Sequence, residues 1–157
     1  MKQVVIGESG VGKSIVCVKN AILNYRGKVI LINEKNSLDY LGLDQTDFET
    51  VQIEDIKKIS SFKKLQVVTH SMTGPIPKKS KEMLLGFIKN YMQDENTLII
   101  IEETANIAPE CVRSLMTQNI KADLLLTFQS EEQFTACYGG ELNMLDKMRC
   151  ITTLTWV

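Results

Sequence analysis

The sequence predicts an α/β domain built on a mainly parallel sheet with helices on both faces, and three observations lead there. Short β-branched runs alternate with longer amphipathic or polar stretches along the chain. The runs LIII (98–101) and LLL (124–126) are apolar without alternation, which suits strands covered on both faces. A glycine-rich turn joins the first apolar run to the first helical stripe.

Taken in order, strands are expected at 2–6 (KQVVI), 28–33 (KVILIN), 66–70 (QVVTH), 97–102 (TLIIIE), 123–128 (DLLLTF) and 150–156 (CITTLTW), with 50–53 (TVQI) as a short extra strand. Helices are expected over 13–25, 54–61, 79–92, 109–118 and 131–146, the last broken at Gly139-Gly140. In the first of these, Ile15, Val18, Ile22 and Tyr25 form one apolar stripe. Loops fall at 34–47 and 71–78, where Gly74, Pro75 and Pro77 block regular structure. With no repeat, low-complexity tract or linker, 1–157 reads as one domain, either a minimal core or the catalytic core of a longer chain.

Hydrophobic residues make up 44% and charged residues 24%, the balance of a soluble globular protein. A net charge of −1 supplies no global positive field, so any contact with nucleic acid must come from a local patch. Cys17, Cys111, Cys137 and Cys150 lack C-x-x-C spacing and there is one histidine, His70, so the cysteines read as free thiols of a reducing compartment. MKQVVIG is too short an apolar run for a signal peptide, and LIII cannot span a bilayer. A cytoplasmic protein with no membrane partner is the expectation.

The turn itself, GESGVGKS (7–14), fits G-x-x-x-x-G-K-[ST], the phosphate-binding loop. Such a loop turns backbone N–H groups inward at phosphate oxygens, and glycines allow the tight path. Gly7, Glu8, Ser9, Gly10, Val11, Gly12, Lys13 and Ser14 are therefore the expected nucleotide contacts. The helix N-terminus adds its dipole, Lys13 can reach the β- and γ-phosphates, and the Ser14 hydroxyl can ligate Mg²⁺.

A hydrolytic site on such a loop needs carboxylates from a second strand. LIIIEE (98–103) supplies them at the carboxyl end of a buried strand, where open α/β sheets bind ligands. Glu102 is expected to hold Mg²⁺ through water, although aspartate is usual there and glutamate is one methylene longer. Glu103 is expected to orient and deprotonate the attacking water. LLLTFQS (124–130) ends a further buried strand with Thr127, Gln129 and Ser130, where a polar side chain can contact the γ-phosphate or the water.

Together GESGVGKS, LIIIEE and LLLTFQS resemble, in order and spacing, the FtsK/HerA superfamily of P-loop ATPases. KVILINEKNS (28–37) is similar to the second-strand segment of that family, with Asn33-Glu34-Lys35 where aspartate-proline-lysine is common. In size the chain is similar to viral genome-packaging ATPases within the superfamily. The resemblance implies a RecA-like (ASCE) core with the sensor strand between the two Walker strands. It also implies ATP and Mg²⁺ as ligands, and a homo-oligomeric ring that moves double-stranded DNA through its centre. A viral portal or other nucleic-acid component is a further candidate partner, and the location would be the host cytoplasm if the protein is viral. Lys13, Ser14, Glu102, Glu103 and Gln129 inherit the roles given above.

A ring ATPase also uses an arginine from the neighbouring subunit. Of Arg26, Arg113 and Arg149, the last two are the candidates, Arg26 being placed at a helix C-terminus where the dipole favours it. For DNA, PIPKKSK (75–81) offers Lys78, Lys79 and Lys81 beside a proline-stiffened loop, with Lys57, Lys58, Lys63 and Lys64 as a second cluster. Two other functions share such a core: a small-molecule or nucleotide kinase, and a nucleotide-switched assembly ATPase. A kinase would be expected to carry an arginine-rich lid and has no use for a second glutamate.

Overall fold

The computed structural model describes residues 1–69 and 75–155. His70, the loop residues 71–74 and the terminal pair Trp156-Val157 lie outside the described residues.

Seven strands form one sheet in which every pairing is parallel. They are β1 (Lys2–Ile6), β2 (Lys28–Asn33), β3 (Glu49–Gln52), β4 (Lys64–Val68), β5 (Thr97–Ile101), β6 (Asp123–Phe128) and β7 (Ile151–Thr153). Their spatial order is β3-β4-β2-β5-β6-β1-β7. β6 therefore lies between β1 and β5, which puts the ends of the three motif-bearing strands side by side.

Alternate residues of the strands feed two cores. On one face Val4, Ile6, Ile99, Ile101, Leu124, Leu126 and Phe128 pack under α2 (Lys78–Tyr91), α4 (Val112–Thr117) and α5 (Glu131–Tyr138). Phe128 and Phe134 meet edge-on there, with ring centres 5.3 Å apart. On the other face Val5, Leu31, Ile100 and Leu125 pack under Val18 and Ile22 of the first helix and under Leu38, Leu41 and Phe48 of the segment after β2. Covering on both faces explains why these strands read as unbroken apolar runs.

The first helix begins with a wide π-helical stretch, Ser14–Lys19, and continues as α1 (Asn20–Asn24). Other boundaries differ from expectation for local reasons. The segment expected as a helix at 54–61 is a 3-10 helix, Ile53–Lys58, which buries Ile53 and Ile56, a spacing of three that suits the tighter turn. The helix expected at 109–118 is a 3-10 turn, Pro109–Cys111, that runs into α4, and a short helix that was not expected, α3 (Thr104–Ile107), precedes it. Ala108, at φ −145°, precedes Pro109 and is kept out of the helical region.

The stretch expected to be helical over 131–146 breaks at the expected place: α5 ends at Tyr138 and Gly139 adopts φ 79°. A separate helix, α6 (Met144–Cys150), starts at Asn143, whose side chain accepts from the Asp146 N–H at 2.9 Å. Because α6 runs through Cys150, the last strand, expected at 150–156, starts at Ile151 and among the described residues covers Ile151–Thr153. β4 spans Lys64–Val68 where 66–70 was expected, and β5 stops at Ile101, one residue short of the expected 97–102. All four cysteines are free. Among the described residues no helix is long and apolar enough to cross a membrane.

Candidate functional site

β1 ends at Ile6, and the Gly7 N–H still donates to the Phe128 carbonyl of β6 at 3.1 Å. The chain then turns sharply, with the Val11 N–H donating to the Glu8 carbonyl at 3.3 Å and the Val16 N–H donating to Gly12 at 2.8 Å as the helix starts. Gly10 at φ 82° and Gly12 at φ 96° take conformations that side chains with a Cβ rarely adopt. Gly7 is needed for a different reason: a Cβ there would stand 2.7 Å from Val11 Cγ1 and 3.0 Å from the Leu154 carbonyl. Glu8, Ser9 and Gly10 are exposed at the tip of the turn.

Lys13 is buried, at 7% exposure, and its ammonium donates to the carbonyl of Gly7 and, at 3.0 Å, to that of Glu8. The cation is thus folded back over the turn. Beside the turn lies a cavity of about 220 Å³, lined by Gly7, Glu8, Val11, Gln129, Thr153 and Leu154 among others. A larger cleft, about 890 Å³, lies elsewhere, between the Ile53–Lys58 turn and α2, with Lys57 and Lys79 on its walls. That cleft contains none of the residues of the glycine turn or of the ends of β5 and β6, whereas the smaller cavity is lined by Gly7, Glu8 and Gln129.

Glu102 follows the last residue of β5, and its N–H donates to the Ile32 carbonyl at 3.0 Å. It is 6% exposed. The Ser14 hydroxyl stands 3.5 Å from one carboxylate oxygen, and the Tyr40 hydroxyl donates to both at 3.1 and 3.2 Å. Burial pushes the Glu102 carboxyl up to about 7, aided by the charge of Glu103, while the Tyr40 and Ser14 hydrogen bonds and the charge of Lys35 pull the other way. Burial, followed by the neighbouring Glu102, raises the Tyr40 phenol above its ordinary value.

Glu103 has φ 51° and ψ 50°, the only non-glycine residue in the left-handed region among those described. That backbone turn costs about 1–2 kcal/mol. Two contacts hold it: the Glu103 N–H donates to Thr127 Oγ1 at 3.0 Å, and Gln129 Nε2 donates to the Glu103 carboxylate at 3.0 Å. The Gln129 N–H in turn donates to Gln133 Oε1 at 3.0 Å, at the start of α5. Strained backbone held by side chains from the neighbouring strand end is the pattern of a site that needs one geometry.

The structure thus brings Lys13, Ser14, Glu102, Glu103 and Gln129 to the carboxyl ends of three adjacent strands. It does not bring the arginines there. Arg113 donates to the carbonyls of Tyr138 and Gly139 at 3.0 and 3.3 Å and lies 5.2 Å from the Tyr138 ring centre, so it closes the C-terminal end of α5. Arg149 is exposed, two residues before Ile151, which pairs with Val4, so it lies toward the amino side of the sheet. Lys78, Lys79 and Lys81 stand in the first turn of α2, which begins one residue earlier than expected and takes in Lys78, and Lys81 pairs with Glu110 at 3.1 Å.

The site also has members that the motifs did not reveal. Tyr40, Asn33 and Gln66 form a buried polar cluster against Glu102: Asn33 Nδ2 donates to the Tyr40 hydroxyl at 2.7 Å, and Gln66 Nε2 donates to Asn33 Oδ1 at 3.0 Å. Their signal was a polar residue inside, or ending, an otherwise apolar strand: Gln66 in KLQVV and Asn33 in KVILIN. Tyr40 carried no such signal, because it lies in the 34–47 segment.

The oxygens of Ser14 and Glu102 suit a hard cation. They stand 3.5 Å apart, so a cation held by the Ser14 hydroxyl would have the Glu102 carboxylate within reach of its water shell. Among the described residues no group of three or more His, Cys, Asp or Glu converges. A nucleotide-bound Mg²⁺ needs only one or two protein oxygens, because phosphate and water complete its shell. No protein-family profile matches the chain, and no curated protein matches it significantly.

Proposed function

We propose that this chain is an ATP-hydrolysing motor that moves double-stranded DNA, most closely a viral genome-packaging ATPase working as a homo-oligomeric ring in the host cytoplasm. The observation that carries the hydrolytic part is the pairing of Glu102 with Ser14 and of Glu103 with Gln129 at three neighbouring strand ends around one glycine turn. The mechanical part rests on the resemblance of the three motifs to the FtsK/HerA superfamily and on the lysines that open α2.

In this reading residues Gly7–Ser14 wrap the phosphates. Lys13 leaves the carbonyls of Gly7 and Glu8 for the β- and γ-phosphate oxygens. Ser14 and Glu102 would hold the Mg²⁺, which neutralises phosphate charge. Glu103 accepts a proton from water as the water oxygen bonds to the γ-phosphorus. The bond to the β,γ-bridging oxygen breaks, and ADP and inorganic phosphate leave. Gln129, already bonded to the Glu103 carboxylate, aims that base and exchanges its donor to the γ-phosphate when ATP is present.

Lys78, Lys79 and Lys81 sit at the positive end of the α2 dipole with no acidic residue in that turn. Cations there oppose the dipole by about 0.3–1 kcal/mol each, a cost that a phosphate backbone alongside would reverse. Such contacts would be independent of sequence, as a translocase requires. Of the two arginines, Arg149 is the better candidate to reach a neighbouring subunit, since Arg113 is engaged within its own chain.

The test is the ATPase rate with and without double-stranded DNA across a salt series, in wild type and Glu103→Gln. Duplex DNA is expected to raise the rate at low salt, and Glu103→Gln to abolish turnover while retaining nucleotide. A rate indifferent to DNA in wild type would remove the motor reading and favour a nucleotide-switched assembly protein. Phosphate transfer to a small acceptor in place of water would favour a kinase.

A further inference from the structure

The buried polar groups next to Glu102 are ordered as a line. Gln45 Nε2 donates to Gln66 Oε1 at 3.0 Å, Gln66 Nε2 to Asn33 Oδ1 at 3.0 Å, Asn33 Nδ2 to the Tyr40 hydroxyl at 2.7 Å, and that hydroxyl to Glu102. At the far end the Leu38 N–H donates to Gln45 Oε1 at 3.0 Å. Each of these links runs toward the carboxylate, while Gln45 Nε2 also donates to Thr50 Oγ1 and Gln66 Nε2 to the Lys35 carbonyl. A head-to-tail row polarises each member in the same sense and so strengthens the last bond.

The row crosses three adjacent strands on one face: Glu102 just past β5, Asn33 at the end of β2 and Gln66 within β4. Gln66 and Asn33 are at most 1% exposed. Burying two amide side chains, with a half-buried amide and phenol at either end, is inefficient for stability alone, since apolar residues of similar volume serve at least as well. The extra methylene of Glu102 gives a reason for the device. A glutamate in a position suited to aspartate has one more rotatable bond, and the Tyr40 hydroxyl, bonded to both carboxylate oxygens, removes that freedom. Lys35, 4.3 Å from the centre of the Tyr40 ring, holds the ring from the other side.

We propose that Tyr40 is a positioning residue for the cation site: it fixes the Glu102 carboxylate toward Ser14, at the end of a directed hydrogen-bond row from Gln45 through Gln66 and Asn33. This rests on the reading of Ser14 and Glu102 as the magnesium-bearing pair. The role of Tyr40 would be exerted through the Glu102 carboxylate, to which its hydroxyl is bonded. The same row ties the segment 38–45 to the cation site.

The experiment measures binding of a fluorescent ADP analogue (mant-ADP) by fluorescence, first in EDTA and then in a Mg²⁺ titration, for wild type, Tyr40→Phe, Glu102→Gln and the double variant. Phenylalanine keeps the ring and removes only the hydroxyl. In wild type, Mg²⁺ is expected to tighten binding. In Tyr40→Phe the midpoint of the Mg²⁺ titration should rise about tenfold, the worth of one hydrogen bond to a charged group, with affinity in EDTA unchanged. In the Glu102→Gln background the Tyr40 substitution should add nothing.

Gln45→Ala removes the first donor of the row from a half-buried position and should shift the midpoint the same way by about twofold. It supplies the test if thermal melting shows that Tyr40→Phe does not fold. An unchanged midpoint in the folded variant overturns the proposal and leaves the nucleotide site standing, as does an equal loss in EDTA and Mg²⁺, which marks a structural role. A wild type that binds mant-ADP with no response to Mg²⁺ overturns the proposal together with the reading of the site beneath it.

Discussion

Replacing Glu102 by glutamine should stabilise this protein at neutral pH. In the absence of nucleotide and metal, Glu102 is 6% exposed and its carboxyl is pushed from 4.5 up to about 7, chiefly by burial. A raised value in the folded state means that the folded chain keeps a proton which the unfolded chain releases between pH 4.5 and 7. Stability contributed by this group is therefore fully present below pH 4.5 and is lost as pH rises to 7. The loss amounts to about 3 kcal/mol. Glutamine copies the protonated acid in shape and cannot ionise, so Glu102→Gln escapes that loss. The variant should match wild type near pH 4 and exceed it by about 3 kcal/mol at pH 8, or about 6–12 °C in Tm for a domain of this length. Melting both proteins in EDTA from pH 4 to 8 cancels the other titrating groups. A difference that stays constant with pH, or a wild type more stable at pH 8, would refute the reasoning.

Three further substitutions test other parts of the structure. Gly27→Ala would place a Cβ 2.0 Å from the Asn96 carbonyl oxygen that accepts the Lys28 N–H, and should cost about 3 kcal/mol or prevent folding, read from the urea midpoint. Glu103→Asn puts a residue tolerant of the left-handed region at φ 51° and should gain about 0.5–1 kcal/mol in urea unfolding while turnover is lost. Changing Lys78, Lys79 and Lys81 to alanine should leave Tm level or slightly higher, because three cations leave the wrong end of a helix dipole, while DNA stimulation of the ATPase falls and mant-ADP affinity holds.

Strands were the most legible part of the sequence, because double-sided burial writes itself as runs such as VILI and LIII that no helix face or loop needs. Helices were legible where one sheet face dictates a stripe, as in α2, and less so where backbone chemistry intervenes. Pro109 turned the first part of the helix expected at 109–118 into a 3-10 turn and set α3 apart before it. The break at Gly139, by contrast, was legible from the glycine pair, and only the Asn143 cap was not. The site was readable where its residues form a contiguous motif, as in Gly7–Ser14, or stand together at a strand end, as with Glu102 and Glu103. Tyr40 escaped notice because its role comes from a three-dimensional meeting across 62 residues. The backbone of Glu103 escaped for the converse reason: glutamate has no preference for the left-handed region, and only Thr127 and Gln129 on the next strand impose it.

The order of the sheet has a consequence for how the chain acquires its site. β1, the earliest strand along the chain, pairs with β6 and β7, and neither β2 nor any other strand before residue 123 touches it in the ladder. During vectorial synthesis, β2 to β5 can assemble among themselves while the strand that bears Gly7 still has no partner. Closing it into place requires contacts of more than 100 residues in sequence, the slow kind. Mg²⁺–nucleotide binding would then report completion of the whole sheet, and a chain cut before β6 would carry an intact GESGVGKS motif with no strand beside β1 to support it.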